Sequence, residues 1–198
     1  MKKSLLFIVI SFISFHGVAQ KTEVLFNVFL KEENIGQIKA IETNTGSTII
    51  RDIQSATDAR IFAFSIHVES DTKITKGNEI MTEGIAYRHA NRGPEDVHAT
   101  TKRVSNRKYE CTRNDKKTFL ENTEITFCVA DLYFKEPKGM SKIYSNMWAD
   151  MVAVKNLGNG IYQVTAPDNK KSLYTYKNSK LTTIELDTPA GKVISKRK

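Results

Sequence analysis

Three histidines stand where chemistry could be built: His67, His89 and His98. His89 and His98 bracket a loop, residues 90–97, that also carries Glu95 and Asp96. A metal-assisted hydrolase needs two or three nitrogen or carboxylate ligands converging on an open coordination position. Their spacing matches neither HExxH nor another ligand motif, so these residues read as loop histidines. Ser65 and His67 sit two apart on a strand and so share a face, but no third group is placed to orient the imidazole. The chain has no GxSxG, and no SxxK falls in a helical pattern. Glu32-Glu33 and Glu95-Asp96 lie in turn-like sequence and read as solvated acids. No metal and no cofactor is expected, and catalysis is the least supported class of function.

Cys111 and Cys128 are the two cysteines. In an oxidising compartment an isolated pair can form a disulfide, whose closed loop would contribute on the order of 3 kcal/mol. Two small buried thiols would give the same sequence. The strand map below puts Cys111 near the end of one strand and Cys128 just after the next, within bridging reach if the register brings them together. No CxxC spacing points to a metal. A further set, Tyr133, Phe134, Tyr144, Trp148, Tyr162, Tyr174 and Tyr176, concentrates aromatic surface in the second half of the chain.

The elements that must position these residues begin after an export pattern. Lys2 and Lys3 precede the uncharged apolar run from Leu5 to Phe15, too short to span a bilayer comfortably, and Gly17-Val18-Ala19 supplies small residues for a signal peptidase. The expectation is a signal peptide over residues 1–19, a single domain over 20–198, no transmembrane anchor in the mature chain, and a periplasmic or secreted protein. Removing residues 1–19 leaves 28 basic against 22 acidic residues, a net charge of +6 over 179 residues. Its basic clusters are short, as at Lys116-Lys117 and Lys170-Lys171, and lack interleaved aromatics. Together with export this excludes nucleic acid as the expected partner.

From residue 22 onward the apolar residues alternate with the period of strands. Phe62, Phe64, Ile66 and Val68 form one face of a strand expected over 59–72. Val24, Phe26, Val28 and Leu30 form another, with Leu25 and Phe29 suggesting cover on both sides. Turn signals recur at residues 34–36, 44–46, 76–78, 158–160, 168–169 and 178–179, each holding Gly, Asn or Asp. Strands are expected near 22–32, 35–43, 47–55, 59–72, 79–89, 97–105, 107–114, 118–127, 151–156, 161–166, 172–177, 181–187 and 191–196. The fold class is therefore all-β, an antiparallel meander curled into a barrel or open half-barrel. Residues 126–134 have mixed spacing that fits a short helix ended by Pro137 as well as a strand.

Ile35-Gly36, the run from Asp131 to Pro137, Ile143-Tyr144-Ser145 and the run from Leu173 to Leu181 carry a resemblance covering most of the mature chain. The chain resembles an uncharacterised family of exported bacterial domains of unknown function. The resemblance implies a long meander wrapped around a short helical segment, loosely similar to lipocalins or to the half-barrel of periplasmic lipoprotein carriers. It implies no activity, and the two cysteines lie outside its pattern.

Two functions fit. One is an envelope protein that binds or carries an apolar, lipid-like ligand on the concave face, with Phe62, Phe64 and Ile66 on one wall and Trp148, Tyr162 and Tyr174 closing it. The other is a structural or interaction module, with an envelope protein as partner, in which segment 126–150 plugs the concavity and side chains fill it.

Overall fold

The computed structural model describes residues 19–61, 64–93 and 95–198. The expected signal segment up to residue 18 lies outside them, and so does Phe62.

Alternating apolar residues produce fourteen strands. The first eight are β1 (Gln20–Leu30), β2 (Glu33–Asn44), β3 (Thr48–Ile61), β4 (Phe64–Gly77), β5 (Ile80–Ala90), β6 (Val97–Ser105), β7 (Lys108–Arg113) and β8 (Lys116–Leu120). A crossing segment containing a 3-10 helix (Val129–Tyr133) leads to β9 (Lys142–Ser145), β10 (Asp150–Gly158), β11 (Ile161–Thr165), β12 (Lys171–Lys177), β13 (Lys180–Thr188) and β14 (Gly191–Arg197). All belong to one antiparallel sheet ordered β8-β7-β6-β5-β4-β3-β2-β1-β14-β13-β12-β11-β10-β9. The chain walks out from the middle to one edge, crosses to the other and walks back, so β1 and β14 pair at the centre. The sheet is not closed: β8 and β9 each have one neighbour.

Four hairpins turn on two successive residues at positive φ, Lys31-Glu32, Asn78-Glu79, Asn114-Asp115 and Asn178-Ser179. This is the geometry whose twist suits two-residue hairpins. The first corrects the expected turn at 34–36. Lys-Glu is an unusual pair there, so sequence favoured the nearby Asn and Gly instead. Gly36 serves another purpose within β2, since a Cβ at that position would overlap the Ala56 carbonyl of β3.

A second correction concerns the expected strand 59–72. β3 ends at Ile61 and β4 begins at Phe64, and these two are register partners. Alternation marks a reversal only when turn residues interrupt it, and the run from Ile61 to Phe64 holds none. A third concerns residues 118–127. The chain leaves the sheet after Leu120, and Ile125 and Phe127 are buried in the concavity.

One face of the sheet is the core side, with Val24, Phe26, Val28 and Leu30 on β1 and Tyr174 and Tyr176 on β12. The 3-10 helix touches β3, β4, β9 and β13, strands from both halves of the order, so the sheet curls around it. Leu132 is fully buried there, a burial worth about 1.5–3 kcal/mol. Phe26 meets Tyr133 edge-on at 5.7 Å. The crossing segment is the plug that a single curled sheet requires to cover its inner face.

Candidate functional site

Charge on the apolar face fastens the plug. Arg51 lies between Ile49 and Ile53 on β3, and Lys76 follows Ile74 by two on β4, so both project inward with the core residues. The Asp131 carboxylate of the 3-10 helix meets both. Lys76 Nζ donates to its Oδ2 at 2.5 Å, Arg51 Nη1 pairs with its Oδ1, and the Cys128 N–H donates to Oδ2 at 2.6 Å. Arg51 also holds Glu42 at 2.6 Å, and Lys76 Nζ donates to the Thr126 carbonyl at 2.8 Å. Two acids and two bases thus balance. Burial pulls the Lys76 ammonium from 10.5 down to about 8. Sequence reasoning passed over these four residues. The available signal was a charge at i±2 from apolar neighbours on a face that must be buried.

Tyrosine hydroxyls tie the rest of the plug down. Tyr176 donates to the Leu132 carbonyl at 2.7 Å, Tyr162 to Glu136 at 2.9 Å, and Tyr144 shares a 2.6 Å bond with Thr101. Tyr162 and Tyr174 are register partners in the core, and burial raises the Tyr174 phenol to about 12. Trp148 sits in the turn before β10, half-buried under the Arg113 guanidinium at 5.0 Å. Of the expected ligand residues, the five that are described are spread over several elements. Tyr162 and Tyr174 belong to the packed core. Phe64 and Ile66 lie on β4, with five strands between it and β12 in the sheet order.

The expected disulfide is not made. Both cysteines are buried free thiols. Cys111 Sγ accepts the Tyr144 hydroxyl at 3.4 Å, and Cys128 Sγ lies 3.5 Å from Met81 Sδ. Burial raises both thiols, Cys128 to about 12. His67 bonds Asp58 at 2.7 Å and Glu69 at 2.9 Å on the outer surface, and His89 bonds Asp96 at 2.9 Å. Among the described residues no three His, Cys, Asp or Glu side chains form a metal-holding group, and no helix is long and apolar enough to cross a membrane.

What the plug leaves uncovered is the outer half of the β3–β4 hairpin. Its register runs Ser55 with Ser70, Thr57 with Val68, Ala59 with Ile66, and Ile61 with Phe64. Residues two apart share a face. Ile66 and Phe64 thus continue the concave face on which Ile74 and Lys76 are buried. Cover fades along it: Val68 and Ile66 are half-buried, and Phe64 is 54% exposed, with Arg92 over its ring at 4.6 Å.

Where the plug ends and this tract begins lies a cavity of about 160 Å³, lined by Ser55, Ser70 and Thr72 of the hairpin, Tyr133 of the plug, and Ser145 and Asn146 at the β9–β10 turn, among others. Ser55 and Ser70 bond each other at 2.9 Å. Asn146 is 3% exposed, and neither the Oδ1 nor the Nδ2 of its amide meets a hydrogen-bond partner among the described residues. A second, more open depression of about 310 Å³ lies beside Phe127, Phe134 and Met140. On its charged rim Lys138 pairs with Glu136 at 3.2 Å.

Residues 26–198 match the family described as Domain of unknown function (DUF6134). The chain belongs to that family. No curated protein and no solved structure matches it. The family is defined without an activity, so the plugged, open sheet itself is what function must be argued from.

Proposed function

We propose that the protein is an exported binding protein for an amphipathic molecule, whose apolar part lies on the uncovered outer half of the β3–β4 hairpin. The observation that supports this reading is the exposure of Phe64 on the same face as Ile66 and Val68. Apolar side chains at the tip of a hairpin would ordinarily be replaced by polar ones unless something covers them, and grouped exposed apolar surface marks interaction sites. Ser70 to Phe64 is six rises along the strand, roughly 20 Å, a length suited to an extended acyl chain. Each Å² of apolar surface it covers would contribute about 25 cal/mol.

The core itself is side-chain filled, which favours the interaction-module reading for the rest of the sheet. The two readings part at the hairpin. Titration with fatty acids and monoacylglycerols, followed by thermal shift and by the fluorescence of Trp148 beside the cavity-lining Met147, tests the proposal. The expected result is a saturable response in the wild-type chain and its loss in I66D, which keeps the far-UV dichroism of the wild type. A wild-type chain that answers no amphiphile overturns it and leaves the interaction module.

A further inference from the structure

We infer that the cavity at the foot of this tract is a headgroup site for a small uncharged hydrogen-bonding group, hydroxyl or amide in kind, with Asn146 as its main contact. The inference rests on the amphiphile reading above and names the class of head.

A buried polar group without a partner costs about 1–3 kcal/mol, so natural structures rarely retain one without a use. Asn146 presents both a donor and an acceptor. Its side chain lies against Gly84 of β5, where a Cβ would overlap the amide nitrogen, so the absence of a side chain at Gly84 is what lets the amide sit on the sheet. Ser55, Ser70, Thr72 and Ser145 add hydroxyls around the same space.

The sign of the head follows from what is missing among these groups. None of the residues lining the cavity carries a charge. The inward-facing ions of β3 and β4, Arg51 and Lys76, are already paired with Asp131 and Glu42. A carboxylate or phosphate entering here would be desolvated without a counter-charge, which is strongly unfavourable. It would also face the amide oxygen. A hydroxyl can accept from Nδ2 and donate to Oδ1 at once. Size agrees as well: about 160 Å³ is below the usual range for whole-ligand pockets, roughly 300–1,000 Å³, and suits a head of a few heavy atoms whose tail continues outside.

The test compares three amphiphiles with one twelve-carbon chain, monolauroylglycerol, lauric acid and lauryl phosphate, at monomeric concentrations and pH 8 on the full mature chain. The expected result is at least tenfold tighter binding of monolauroylglycerol than of either acid. N146A should abolish that preference, while residual binding through the tail persists. S70A, a milder change on the sheet side of the cavity, should reduce the preference and serves if N146A does not fold. Equal or tighter binding of an acid by the wild-type chain, or an undiminished preference in both variants, overturns the headgroup site and leaves the apolar tract standing. Binding of none of the three overturns the amphiphile reading itself.

Discussion

The Asp131 carboxylate accepts from the Lys76 ammonium at 2.5 Å, and each residue is 1% exposed. One belongs to the plug and the other to β4, so this pair joins the two bodies that make the core. Removing one partner of a buried pair strands the other charge and destabilises by about 3–5 kcal/mol. D131N should therefore lower the unfolding free energy by about that much, since it leaves Lys76 without a counter-charge while Arg51 keeps only Glu42. The double variant D131L/K76M removes both charges while Glu42 still holds Arg51, and it should recover a large part of the loss. Urea unfolding of D131L, K76M and the double measures the coupling. A D131N chain as stable as the wild type would refute the role of the pair.

The two thiols should be inert in the folded chain. Only the thiolate attacks disulfide reagents, and a Cys128 thiol at about 12 is ionised at pH 8 to roughly one part in ten thousand. Ellman's reagent should find close to zero thiols in native protein and two in denaturant. Intact mass should equal that of the fully reduced chain. A native mass lower by two hydrogens would show the bridge that the sequence allows.

His67 offers a pH-dependent contact at the hairpin that carries the proposed site. Its hydrogen bonds to Asp58 and then Glu69 raise its folded value above 6.5. The folded chain therefore holds the proton more tightly than the unfolded chain. The resulting stabilisation is fully present below pH 6.5 and is lost as pH rises through the raised folded value. An NMR titration of the imidazole should give a midpoint above 6.5 in the wild type, and D58N should bring it back toward 6.5. An unshifted wild-type midpoint would show that the bonds do not hold in solution.

Most of the meander was legible because alternation and Gly or Asn turns are local signals. The map failed where tertiary contacts decide. The β3–β4 reversal interrupts no alternation, and the Lys31-Glu32 turn uses residues that seldom take positive φ. The short helical segment was visible in residues 126–134. What it does was not, because Asp131 acquires its meaning only from Arg51 and Lys76, 80 and 55 residues away. For the candidate site, alternation marked Phe64 and Ile66 as one apolar face. Nothing local linked them to Asn146, which is one polar residue outside every expected strand until the β9–β10 turn folds over β5.

The contact between Gly84 and Asn146 gives the most specific test of how the plug is seated. Gly84 faces inward on β5 opposite Ile74 of β4, a register position where the neighbouring inward residues Ala86 and Met81 carry side chains. A Cβ at residue 84 would overlap Nδ2 of Asn146 and crowd Cγ at 3.1 Å. The Ala149 N–H donates to the Asn146 carbonyl at 3.2 Å and fixes the backbone of the turn, so the Asn146 side chain would have to rotate to make room. G84A should then destabilise the chain by about 1–3 kcal/mol through overpacking. N146A relieves the overlap, so G84A/N146A should be more stable than G84A alone and the two changes should be strongly non-additive. Additive losses in urea unfolding would mean that the plug seats itself without this contact.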